Sequence, residues 1–212
     1  MDEQFQPIYQ SILDGQNKAI VAQVEAALQA GRSPQSILDH MIKAMAEVGR
    51  LFEDGEYYIP EMLVSARAMQ AGVGVLKPYL AETQFKSAGV VAIGTVKGDL
   101  HDIGKNLVAM MLEGAGFEVI DLGVDVPSEI FVEVADRADV IAISSLLTTT
   151  MTNMKVIIEA LAAAGKRSET RVIVGGAPVT AAYAEMIGAD GYAPDASRAV
   201  GLVKLLLGKE AH

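Results

Sequence analysis

The chain has 212 residues, 51% hydrophobic but only 5% aromatic, with no Trp and 10 Met, so its core is aliphatic with methionines filling gaps. A formal charge of -10 without a Lys/Arg stripe argues against nucleic-acid partners, and the absence of Cys excludes disulfides, thiolate metal sites and cysteine nucleophiles. The first residues, Met1-Asp2-Glu3-Gln4-Phe5, lack the basic start and apolar stretch of a signal peptide, and no run approaches the roughly 20 apolar residues of a membrane span, so a cytoplasmic protein with no membrane partner is expected.

Residues 1–85 follow the helical period throughout. Phe5, Ile8, Tyr9, Ile12 and Leu13 mark a first helix, and Ile20, Val21, Val24, Ala27 and Leu28 a second that ends at Gly31. Ser33-Pro34 starts a third, with Ser as N-cap and Pro in the first position, which carries Ile37, Leu38, Met41, Ile42, Met45, Val48, Leu51 and Phe52. Asp54-Gly55-Glu56 breaks the chain. Pro60 starts a fourth helix, with Met62, Leu63, Ala66, Met69, Val73 and Leu76 on one stripe, expected to stop at Pro78. Short connections imply a four-helix bundle, and Ala81–Ser87 is the expected linker to a second domain spanning 88–212.

From residue 88 short apolar runs alternate with helical stretches. Strands are expected at Val90–Val96, Phe117–Leu122, Val140–Ser144, Val172–Val174 and, weakly, Ala189–Ala193. Helices are expected at Ile103–Glu113, Ser128–Arg137, Met151–Ala164, Thr180–Ile187 and Ala196–Leu207. Such alternation gives an α/β domain with a parallel sheet covered on both faces.

The loop Gly98-Asp99-Leu100-His101-Asp102-Ile103-Gly104 leaves the first of these strands and opens a helix, which displays His101 at the carboxyl edge of the sheet, where ligands of open α/β sheets bind. Asp99, two residues earlier, can hold one ring nitrogen and leave the other for a metal. Asp102, in the first helical turn, suits the helix dipole. Three further segments leave later strands on the same edge: Ser144-Ser145-Leu146-Leu147-Thr148-Thr149-Thr150, Gly175-Gly176-Ala177-Pro178, and Gly191-Tyr192-Ala193-Pro194. Each alone suits an N-cap or a tight turn; together they line one edge with small residues and hydroxyls. His40, mid-helix among charged neighbours, is expected at the surface, and His212 is terminal.

The order Asp-x-His-x-x-Gly (Asp99, His101, Gly104), Ser-x-Leu (Ser144, Leu146) and Gly-Gly (Gly175, Gly176) resembles the signature of base-off/His-on cobalamin-binding domains, shared by methionine synthase and small corrinoid methyl-carrier proteins. Asp121-Leu122-Gly123-Val124-Asp125-Val126-Pro127 resembles the second strand of that family and its exit, and Phe52–Glu61 its helix-bundle signature. The resemblance implies a helical cap domain at 1–85 and a flavodoxin-like (Rossmann-type) five-stranded sheet of order 2-1-3-4-5 at 88–212. It implies His101 as the lower cobalt ligand, in a relay with Asp99 and a hydroxyl at Thr150, by which a proton tunes the His–cobalt bond. Gly98, Leu100, Asp102, Ile103, Thr148, Ala177, Tyr192 and Ala193 would join the cofactor contacts. The displaced nucleotide tail would need the small residues Ser144, Gly175, Gly176 and Ala177 to let backbone approach. A one-residue gap would exchange the roles of Thr148, Thr149 and Thr150. Tyr57, Tyr58, Ile59 and Met62 are candidates for shielding the upper corrin face, with packing of the bundle as the other reading of Met62.

No barrel for radical chemistry and no folate or homocysteine module is expected in this length, nor an upstream DNA-binding domain. A free-standing methyl carrier is therefore implied, not catalytic alone. It would serve a substrate:corrinoid methyltransferase, a methylcorrinoid:acceptor methyltransferase with tetrahydrofolate or a thiol as acceptor, and a reductive activator. Methanol, methylamines, betaines and methoxylated aromatics stay open as donors. A cobalamin-dependent sensor or store is the alternative. A flavodoxin-like protein holding a phosphate ligand is disfavoured, because Asp99 and Asp102 would repel the phosphate.

Overall fold

The computed structural model describes residues 3–82 and 87–209. The centre of the expected linker, 83–86, and His212 lie outside the described residues. Contacts divide the chain into two compact units, one of residues 1–86 with 113–116 and one of residues 87–112 with 117–212.

The first unit holds a 3-10 turn (Glu3–Phe5) and helices α1 (Gln6–Leu13), α2 (Asn17–Gln29), α3 (Pro34–Glu53) and α4 (Ile59–Glu82). Ser33 caps α3 as its sequence requires: its hydroxyl accepts from Ser36 N at 3.1 Å, with Pro34 next in line. The α3 stripe Ile37, Leu38, Met41, Ala44, Met45 and Val48 is buried, and α1 and α4 pack against it. At the start of α4, Glu61 reaches back to accept from Tyr58 N at 3.0 Å. Two expectations need correction. α4 does not stop at Pro78 but runs through it to Glu82. Proline removes only its own N–H bond one turn from the end, while Leu76 and Leu80, four apart and both buried, hold that turn to the core. His40 is not a surface residue. It is half-buried, stacked on Phe5 with ring centroids 4.1 Å apart, and its Nδ1 lies 2.7 Å from Ser36 O.

The second unit alternates β1 (Val90–Val96), α5 (Ile103–Gly114), β2 (Glu118–Val126), α6 (Ser128–Val134), β3 (Val140–Ser144), α7 (Thr152–Ala163), β4 (Arg171–Gly175), α8 (Ala181–Met186), β5 (Gly191–Ala193) and α9 (Ala196–Leu206), with a 3-10 turn (Ala135–Arg137) after α6. All strand pairs are parallel and the order is 2-1-3-4-5. Parallel strands buried on both faces need near-continuous apolar runs, which β1, β3 and β4 have. Ala92, Ile141, Ile143, Val172 and Val174 face α6, α7 and α8 through Phe131, Met154, Ile157 and Leu161. The alternating residues Val91, Ile93, Ala142 and Ile173 are buried as well, leaving the opposite face to α5 and α9. Thr180 and Asp195 cap α8 and α9, accepting from Tyr183 N and Arg198 N.

Because β1 lies between β2 and β3, its exit loop is flanked on both sides by the exits of its neighbours. Ile141, fully buried on the central strand β3, measures how firmly that frame is held. Ile141→Ala is expected to cost about 2–5 kcal/mol, read as a fall in the urea midpoint at unchanged slope.

Candidate functional site

The centre of the carboxyl edge is one carboxylate. Val96–Asp99 is a tight turn closed by Asp99 N donating to Val96 O at 3.1 Å, and Gly98 supplies the φ of +84° that its third position needs. The turn drives the Asp99 side chain inward, to complete burial. Its Oδ1 accepts from His101 N at 3.1 Å and lies 2.7 Å from His101 Nδ1. Its Oδ2 accepts from Leu146 N at 2.8 Å and Leu147 N at 3.3 Å, and faces the hydroxyls of Thr150 at 2.9 Å and Ser145 at 3.1 Å. Burial by itself would push the Asp99 carboxyl up. The Leu146 amide, the His101 ring and amide and the Thr150 hydroxyl together outweigh burial and hold it well below the usual carboxylate range. Asp99 is therefore a fixed anion.

A fixed anion at Nδ1 keeps the proton on that nitrogen and leaves Nε2 with the lone pair. Nε2 has no hydrogen-bond partner among the described residues, and the His101 side chain is 52% exposed. Thr95, buried at the end of β1, donates to His101 O at 2.9 Å and fixes the backbone beneath the ring. Around the imidazole stand exposed apolar side chains: Leu100 (72% exposed), Ile103 (77%), Leu146 (44%) and Leu147 (41%). An outward imidazole in an apolar rim is a ligand-binding arrangement rather than a packed core.

The neighbouring strand ends are stripped of side chains. A Cβ on Gly176, whose φ is +122°, would stand 1.9 Å from Ser145 O, so no other residue fits beneath the β3 exit. A Cβ on Gly175 would meet Ala193 O at 3.0 Å. Gly104 differs. It lies in the first turn of α5 with an ordinary φ, and a Cβ there would meet nothing within 4 Å. Nothing inside the protein calls for glycine at 104, which fits a bulky group lying against that turn from outside.

The sequence candidates thus fall into three groups. Gly98, Asp99, Leu100, His101, Ile103, Gly104, Leu146, Thr150, Gly175 and Gly176 come together on one edge. Asp102 is exposed and bonds Asn106 Nδ2 at 3.1 Å, so it serves the first turn of α5. Ala177 is exposed, and Ala193 pairs with Gly175 in the ladder. Of the threonines, Thr150 meets Asp99, while Thr148 and Thr149 are exposed. Ser144 is the last ladder residue of β3, between Thr95 and Gly175; Ser145, one residue on and fully buried, is the serine that reaches Asp99. Tyr192 packs half-buried against the sheet core. In the helical unit Tyr58 is 65% exposed and Ile59 is exposed, but Met62 is fully buried. Sequence reasoning missed Ser145, Thr95 and Lys105. Lys105 is buried in the first turn of α5, with Nζ 2.6 and 2.7 Å from the two Asp121 oxygens and 2.7 Å from Asn106 Oδ1. The adjacent hydroxyls at 144 and 145 carried the signal for the serine, since alternation along β3 sends one of the two toward β1's loop.

Two family models, both described as a B12 binding domain, match the chain, one over residues 89–201 and one over 4–77. The chain is 45% identical over 212 residues to dimethylamine corrinoid protein 1 of Methanosarcina mazei, covering 98% of each. It is 46% identical over 194 residues to trimethylamine corrinoid protein 1 of the same organism, covering 89% of this chain and 90% of that one. It superposes with a TM-score of 0.88 and 29% identity on a chain in the crystal structure of the methanol:cobalamin methyltransferase complex of Methanosarcina barkeri, covering 99% of this chain and 81% of that one.

The two glycines separate by their environment. Gly176→Ala is expected to lower the melting temperature sharply, because its Cβ meets backbone. Gly104→Ala is expected to leave the ligand-free protein unchanged or more stable by up to about 1 kcal/mol, since alanine suits a helix better. Thermal melts of the two proteins check both directions.

Proposed function

The chain belongs to the B12-binding proteins, with cobalamin as cofactor, and we propose that it is the methyl-carrying subunit of a methylamine methyltransferase system. The observation that carries the reading is the outward Nε2 of His101, backed at Nδ1 by the saturated Asp99 carboxylate. The residues fit the cofactor on their own terms: an imidazole in the tautomer a metal needs, an apolar rim, and a helix turn opened at Gly104. Bound cobalamin supplies a cobalt centre that takes a methyl group from one partner and yields it to another.

His101 Nε2 is the proposed lower ligand, and Asp99 sets its strength. A carboxylate at Nδ1 makes the imidazole a better donor, and drawing negative charge away from Asp99 weakens that push. Thr150 and Ser145 give the pair a means of adjusting. Each hydroxyl reaches either Asp99 Oδ2 or Leu147 O, at 2.9 and 3.1 Å for Thr150 and 3.1 and 3.3 Å for Ser145. Turning a hydroxyl from one acceptor to the other changes the charge stabilisation of Asp99 without moving the backbone. Leu100, Ile103, Leu146 and Leu147 would keep water from the ligating nitrogen once the cofactor lies over them. Gly175, Gly176 and Ala177 border the path proposed for the displaced nucleotide tail.

The similarity along the whole chain to dimethylamine and trimethylamine corrinoid proteins favours a methylamine as methyl source. The partner set is then a methylamine:corrinoid methyltransferase, a second methyltransferase delivering the methyl to a thiol or tetrahydrofolate, and a reductive activator. The test is to load the protein with hydroxocobalamin, reduce it, and add dimethylamine or trimethylamine with the corresponding methyltransferase. Appearance of the methylated cofactor's absorption spectrum supports carriage. Tight cobalamin binding with no methylation by any methylamine overturns the methylamine reading, and none with methanol, betaine or methoxyaromatic donors and their methyltransferases leaves a sensor or store.

Two variants address the site. His101→Ala is expected to keep binding cobalamin but to lose the absorption bands of imidazole-ligated cobalt; an unchanged spectrum removes His101 as ligand. Gly104→Ala, harmless to the free protein, is expected to weaken cobalamin binding about tenfold or more, equivalent to about 1.4 kcal/mol, in a titration followed by absorbance.

A further inference from the structure

The exit of β2 breaks the regularity of the sheet beside the His101 loop. Pairing with β1 runs in step from Val90↔Glu118 to Ile93↔Asp121, then slips between Ile93 and Gly94 and again between Gly94 and Val96, where Gly94 pairs Gly123 and Val96 pairs Val126. β2 therefore bulges twice over 121–126, and bulges of this kind re-aim side chains next to functional sites. Gly123 absorbs one change of direction with φ +84°. Asp125 absorbs the other with φ +54°, the one non-glycine residue with positive φ among the described residues. Aspartate visits that region more readily than most residues, but it stays there only where its surroundings over-determine it.

Two hydrogen bonds do so, and both go to the β1 turn. Asp125 N donates to Asp99 O at 3.0 Å, and Asp125 Oδ1 accepts from Gly98 N at 2.7 Å. The turn is held from its other side by Asn153 of α7, whose Nδ2 donates to Lys97 O at 2.8 Å. Behind the bulge, Asp121 takes the buried Lys105 ammonium and accepts from Gly123 N at 2.9 Å, which ties the bulged segment to the first turn of α5. The residues before and after the turn's tip are thus gripped by β2's exit and α7, while the Asp99 side chain is gripped by β3's exit.

We infer that Asp125 is a positioning residue, fixing the backbone of Gly98 and Asp99 and thereby the fraction of bound cobalamin that His101 ligates. The inference rests on His101 being the lower ligand. The Asp99 carboxylate meets its β3 donors only if the turn keeps this conformation, and Asp125 is its charged clamp on the β2 side. The left-handed backbone is what lets one residue offer its amide to Asp99 and its carboxylate to Gly98 together.

The experiment uses full-length protein labelled with nitrogen-15 at histidine and loaded with cob(II)alamin, read by electron paramagnetic resonance. A histidine ligand splits the cobalt lines into doublets, whereas the cofactor's own unlabelled base splits them into triplets. Wild type is expected to give doublets. Asp125→Asn keeps an oxygen acceptor and tolerates positive φ, so it should stay close to wild type. Asp125→Gly relaxes the backbone but has no acceptor, and its ratio of His-ligated to unligated cofactor should fall about tenfold, the size of one charge-assisted hydrogen bond. Hydrogen exchange at the Gly98 amide of the cobalamin-free protein should be faster in Asp125→Gly than in Asp125→Asn. Wild-type doublets retained in full by Asp125→Gly, with unchanged exchange at Gly98, overturn the role of Asp125 alone. Triplets in the wild type overturn the lower-ligand reading and this inference with it.

Discussion

The interaction on which the α/β unit's edge depends is the saturation of Asp99. A carboxylate taken entirely out of water is costly unless every lone pair is met, and here main-chain and side-chain donors from two loops meet them. The arrangement is all-or-none. If the β3 exit is displaced, the anion loses its Leu146 and Leu147 amides, and those amides lose their acceptor, each unmet buried group costing about 1–3 kcal/mol. The same bonds that stabilise the edge therefore aim the imidazole, and stability and ligand geometry cannot be varied separately at this position.

The chemistry of His101 follows from that constraint. An imidazole with its second nitrogen on a mobile or half-solvated carboxylate would change tautomer with its surroundings. With Asp99 fixed, the tautomer is decided by the fold. Adjustability is moved outward to Thr150 and Ser145, which share Asp99 Oδ2 and Leu147 O between them. For the cobalt ligand proposed above, such a design would offer rigid heavy atoms and movable hydrogens.

Much of this was legible in the residues, and the reasons are particular. β1 and β3 match their sequence limits because both are short apolar runs flanked by turn residues, and α3 begins where Ser33-Pro34 says it should. The Asp-x-His-x-x-Gly loop was legible because its residue types are unusual together. What the sequence hid was decided by tertiary packing. Pro78 reads as a stop in the sequence because its local cost is visible there and the burial of Leu80 is not. Ser145 goes unmarked because a motif has no faces, whereas a strand does, and only the fold turns its hydroxyl to Asp99. Met62 sat at a helix start that looked presentable, but its side chain is consumed by the core. The bulges of β2 left no trace beyond a glycine and an aspartate, both unremarkable in a strand exit.

The strand order has a further consequence for how the protein is made. Thr150 and Asp99 are separated by 51 residues, and Asp125 and Gly98 by 27. With β1 between β2 and β3, neither clamp exists until β2 and then β3 have docked on it, and parallel pairings of this separation form late and slowly. A chain stalled before β3 docks has a histidine but no aimed imidazole. With His101 as the proposed ligand, the cofactor would be received by a nearly finished fold, and once held it would stabilise that fold by mass action.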